Sequence, residues 1–74
     1  MTTKWFIGQN SERVFAVYKA TFEGKILTSE NQWVVPKGKA WAPTKRVSEW
    51  YFVGNEEIWP ATEAEIRKHL PANA

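Results

Sequence analysis

Apolar and polar positions alternate along most of this chain, and short clusters of glycine, proline and polar residues punctuate the alternation. The longest alternating stretch is Val14 to Phe22 (VFAVYKATF), where Val14, Ala16, Tyr18, Ala20 and Phe22 fall on one face of an extended strand. That face is wholly apolar and is expected to look at the core. Lys4 to Gly8 (KWFIG) reads as a shorter strand before it, closed by a polar loop over Gln9 to Arg13. Glu23-Gly24 reads as a two-residue hairpin turn into Lys25 to Thr28 (KILT), because glycine reaches the positive φ such turns need. The polar cluster SENQ then separates this strand from another at Trp33 to Val35, which Pro36 stops.

In the second half, Ser48 to Val53 (SEWYFV), Gly54-Asn55 and Glu56 to Trp59 (EEIW) read as a hairpin. Pairing across that turn sets Trp50 opposite Trp59 and Tyr51 opposite Ile58, with Pro60 ending the second strand. Thr62 to Leu70 (TEAEIRKHL) reads as one short helix. Thr62 and Glu65 have the spacing of a capping box, and Ala61 with Ile66 can form the accompanying staple. Glu63 and Glu65 open the helix while Arg67, Lys68 and His69 close it, which matches the helix dipole. A helix this short needs a sheet to dock on, through Ile66 and Leu70.

The expected fold is α+β, mostly β: a twisted antiparallel meander or small open barrel of four to six strands with one short C-terminal helix. The expected core is Trp5, Ile7, Val14, Ala16, Tyr18, Phe22, Leu27, Phe52, Ile66 and Leu70. At 74 residues, residues 1–74 form a single small domain, near the size at which one core only just offsets chain entropy. With no cysteine there is neither a disulfide nor a thiolate metal site to help, so five Trp, two Tyr and four Phe must supply the buried area.

The parts for catalysis are few. There is one His, no Cys and no Asp, and His69 sits where a cation complements the helix end. Glu56 and Glu57 are adjacent, so on a strand they point to opposite faces and cannot flank one bond. No enzyme activity, metal, cofactor or small-molecule substrate is expected. No apolar run approaches membrane-spanning length and no leader-like segment opens the chain, so a cytoplasmic protein is expected.

Two binding surfaces are expected instead. The first rests on a surplus of apolar faces. Phe6, Phe15 and Val17 oppose the apolar faces of their own strands, and both sides of the 48–59 ribbon are apolar, which is more than one helix can cover. Trp50, Tyr51, Trp59 and Phe15 are the expected contacts of a small binding or regulatory protein that docks on another protein, as an inhibitor, or on itself. The alternative is nucleic-acid binding through residues 36–46. There Lys37, Lys39, Lys45 and Arg46 surround Trp41 with no acid among them, the composition of a phosphate-gripping, base-stacking segment. The net charge of +2 is too small to decide for that alternative.

Overall fold

The computed structural model describes residues 1–10, 13–35, 38, 40–54 and 57–72, with 51–53 as backbone only. Five strands form one open antiparallel sheet: β1 (Thr2–Asn10), β2 (Arg13–Glu23), β3 (Ile26–Val34), β4 (Ala42–Pro43) and β5 (Ile58–Ala61), in the spatial order β4-β3-β2-β1-β5. Two helices complete it, α1 (Arg46–Val53) between β4 and β5 and α2 (Glu63–Arg67) after β5. The mostly-β α+β class and the C-terminal helix are as expected. Three local readings need correction.

The first is SEWYFV, which is helical. Read with period two, both sides of this stretch are apolar. Read with a helical period, Val47 and Trp50 fall on one face, and the structure buries Val47 completely and packs Trp50 beside it. Gly54 takes φ 86° and donates its amide to the carbonyls of Glu49 and Trp50, closing α1 with a left-handed cap. A hairpin turn and a helix C-cap both ask for glycine at positive φ, so this signal serves either structure. The expected pairs Trp50 with Trp59 and Tyr51 with Ile58 therefore do not form. β5 pairs with β1 instead, Ile7 opposite Trp59 and Gly8 opposite Ile58, and Pro60 lies inside β5. Asn55 and Glu56 lie outside the described residues.

The second is SENQ, which does not break a strand. β3 runs through it, Asn31 and Gln32 pairing with Lys19 and Tyr18. A register shift at Phe22 leaves Thr28 over, and its hydroxyl donates to the Thr21 carbonyl at 3.0 Å. The hairpin before it turns at Gly24 and Lys25, one residue later than expected, with Gly24 at φ 64°.

The third is the face of Val14. Gly8 pairs with Ala16 but Gln9 pairs with Val14, so Phe15 is a bulge residue. The bulge flips the strand end. Phe15 joins the face of Ala16, Tyr18, Ala20 and Phe22, while Val14 joins the opposite face with Val17.

The sheet thus carries two cores. On the α1 face, Phe6, Ala16, Tyr18, Ala20, Phe22, Val47 and Ile58 are buried, with Phe15, Leu27 and Trp50 packed against them. On the α2 face, Val17, Trp33 and Ile66 are buried, with Trp5, Ile7, Val14, Trp41 and Leu70 around them. Nearly all of the expected core lies in one cluster or the other; the Phe52 side chain falls outside the description. Phe6 and Val17, expected to be left over, are buried because α1 covers one face and α2 the other. The capping box forms as expected: Thr62 Oγ1 accepts from the Glu65 amide at 3.2 Å, and Glu65 Oε1 accepts from the Thr62 amide at 3.3 Å. After Arg67 the helix tightens into three-residue steps through Leu70, the amides of Lys68, His69 and Leu70 bonding back to Glu65, Ile66 and Arg67.

Candidate functional site

The four residues expected to contact a partner do not form one patch. Trp50 and Phe15 are half-buried on the α1 face, Trp59 is 53% exposed on the opposite face, and the Tyr51 side chain lies outside the described residues. The basic segment is also divided. Trp41 is half-buried in the α2-face cluster, with ring centroids 6.3 Å from Trp5 and 5.7 Å from Trp33, and the Lys19 ammonium lies 4.5 Å from its own. Lys45 and Arg46 are exposed at the start of α1, on the way to Val47 in the other core. Lys37 and Lys39 lie outside the described residues.

A cleft is present where none was expected. It occupies about 380 Å³ beside Trp50, and Thr3, Lys4, Trp5, Phe6, Phe22, Pro60 and Ala61 complete its lining. The sheet topology creates it. α1 is held toward β3 because Glu30 accepts hydrogen bonds from the amides of Val47 (3.1 Å) and Ser48 (3.2 Å) and from the Ser48 hydroxyl. So anchored, α1 reaches across the sheet only as far as Trp50, whose ring centroid is 5.0 Å from that of Phe6. Beyond Trp50, toward β5, the apolar sheet face stays open. One cation and no carboxylate lines this space; Lys4 holds its ammonium 5.1 Å from the Phe22 ring centroid.

The backbone around the cleft is unequally available. Gln9 donates to the Glu57 carbonyl at 2.9 Å, so Trp59 and Ala61 face β1 with their hydrogen-bonding groups, while Ile58 and Pro60 turn theirs outward. Pro60 thereby places its missing N–H on the free edge. The Thr44 amide donates to the Glu30 carbonyl, and the same alternation turns Pro43 of β4 outward on the other edge. Where β4 and β5 form the sheet edge, proline thus blunts it against pairing with another chain. Thr3 lies beyond the reach of β5. β5 pairs with β1 no further than Trp5, and alternation points the Thr3 N–H and C=O away from β2, into the gap beside the cleft. Lys4, Phe22 and Pro60 each carry an ordinary strand signal, and no local pattern distinguishes cleft residues from core.

Tyr18 lies beneath the same face, fully buried, and its hydroxyl has no hydrogen-bond partner among the described residues. Burial raises its pKa above the ordinary value; the Arg46 charge lowers it in part and the Glu57 charge raises it. Among the described residues no group of three His, Cys, Asp or Glu could hold a metal ion, and no helix is long and apolar enough to cross a membrane. Fold and site together define a small mostly-β domain with an open five-stranded sheet and an apolar cleft at one step in its edge. Compared with protein-family models, curated proteins and solved structures, the chain matches none.

Proposed function

We propose that this domain is a small non-enzymatic binding or regulatory protein, working in the cytoplasm by contact with another protein, and that the cleft beside Trp50 is its docking site. The observation that carries the proposal is the uncovered apolar floor between α1 and β5, where Phe6, Phe22, Trp50 and Pro60 surround a space large enough for a partner's side chain. An aromatic wall of this kind is the usual anchor of a protein contact. Pairing of copies through the edges of β4 or β5 is disfavoured by Pro43 and Pro60, so a partner is expected to use the face and not those edges.

Affinity capture from the native host tests this with three forms of the protein. Lys4→Trp fills the mouth of the cleft from an exposed position on the α1 face, and Trp59→Ala changes the opposite face. A protein held by the wild type and by Trp59→Ala, and released by Lys4→Trp, is the expected result. Release by Trp59→Ala alone, or indifference to both substitutions, would place the contact elsewhere.

A further inference from the structure

We infer that the cleft binds, as a ligand, a small carboxylic acid with an aromatic or branched apolar body, its carboxylate meeting Lys4 and its body resting among Phe6, Phe22, Trp50 and Pro60. The inference goes beyond the docking reading, since it holds whether or not a protein also uses this cleft. Size, lining and charge combine. At about 380 Å³ the space lies near the lower end of small-molecule sites, about 300 to 1,000 Å³, so it suits a body of one ring or a short branched chain. Phe6 and Trp50, with ring centroids 5.0 Å apart, give that body an aromatic wall.

The charge in the lining is one-sided. Lys4 is its only charged residue, and among the described residues Lys4 makes no ion pair. Its ammonium stands 5.1 Å from the centroid of the Phe22 ring, which lines the same space, so an anion that meets Lys4 sits beside the apolar floor. One small molecule therefore reaches both, with no strand to add and no second residue to place. A cationic ligand would be repelled there, and a neutral one would leave Lys4 without a counter-ion. A lone ammonium matches a carboxylate monoanion, whereas a phosphate near two negative charges asks for a second cation, and the lining has none.

The test titrates the full chain at low salt with phenylpropanoate, its primary amide phenylpropanamide, phenylpropylammonium and acetate. NMR of the Trp50 indole N–H reads the cleft, and the exposed Trp59 indole on the opposite face serves as reference. Phenylpropanoate is expected to shift Trp50 at low millimolar concentration and to leave Trp59 unmoved. The amide should bind up to about fivefold more weakly, the ammonium more weakly still, and acetate should shift neither signal. Lys4→Gln, at an exposed position, should bring acid and amide to equal affinity, and Lys4→Trp should abolish both shifts. If amide and ammonium bind the wild type as tightly as the acid, or if the acid keeps its advantage in Lys4→Gln, the inference falls and the docking reading stands. If no compound shifts Trp50, or if Trp50 and Trp59 shift together, the inference also fails, and affinity capture still judges the docking reading by itself.

Discussion

Glu30 on β3 caps α1 from 17 residues away, its Oε1 accepting the amides of Val47 and Ser48. The residue that locally precedes the helix, Lys45, supplies no side-chain cap, and Lys45 and Arg46 place positive charge at the end where the helix dipole is already positive. The Glu30 carboxylate satisfies orphan amides and offsets that charge at once. It also decides where α1 lies, and so where the sheet stays uncovered.

Replacing Glu30 with Ala is therefore expected to cost about 1 to 2 kcal/mol, the range of a lost N-cap. Chemical denaturation measures the total. Amide exchange should localise the loss to 46–53 and leave β1 and β2 protected; uniform loss across the sheet would contradict the capping role.

Gly8 lies under two rings. A Cβ built there would meet Phe15 Cε1 and Tyr18 Cε2, each at 2.9 Å, and both rings are held in the α1-face core. Gly8→Ala is expected to destabilise by about 1 to 3 kcal/mol through overpacking. Combining it with Phe15→Leu should recover part of the loss. Equal stability of Gly8→Ala and wild type would show that the bulge can yield.

Tyr18 gives a pH-dependent prediction. Its pKa is raised in the fold, chiefly by burial, so the unfolded chain loses the phenolic proton first as the solution becomes alkaline. The stability tied to the neutral form is complete below the unfolded value of about 10 and is lost as pH rises through the folded value. Tyr18→Phe removes both this alkaline loss and a buried hydroxyl that has no partner among the described residues, and should be neutral or stabilising near pH 7. Urea melts of both proteins at neutral and alkaline pH check it; parallel pH dependence of the two would contradict the assignment.

Trp41 separates the packing role from nucleic-acid stacking. Half-buried against Trp5 and Trp33 and beneath the Lys19 ammonium, it should cost about 2 kcal/mol of stability when changed to Ala, less than a fully buried Trp. Its fluorescence should stay unchanged when short single-stranded oligonucleotides are added at low salt. Quenching that disappears steeply with added salt would instead favour the basic segment as a phosphate and base contact.

How far each feature was legible in the sequence follows from the distance over which its causes act. The capping box of Thr62 and Glu65, the apolar run Ala16 to Phe22 and the turn at Gly24 depend on residues within a few positions of one another, and period and turn chemistry reveal them. The helix over 46–53 does not belong to that group. Its β-prone residues and Gly54 suit a hairpin equally well, and the choice depends on Glu30 and on an α1 face that needs a cover. The bulge at Phe15 moves Val14 to the other face, because one extra residue reverses every later side chain in a structure of period two. The cleft is more remote still. Lys4, Phe22, Trp50 and Pro60 come from four elements, and the space among them exists because α1 is tethered to β3 while β5 ends at Ala61, level with Trp5 and two residues short of Thr3. Sequence alone determined the mostly-β class, the strand segments 4–8 and 14–22, the last helix and most of the core. Tertiary structure decided which faces are covered and where the gap remains, since coverage is set by contacts between elements far apart in the chain.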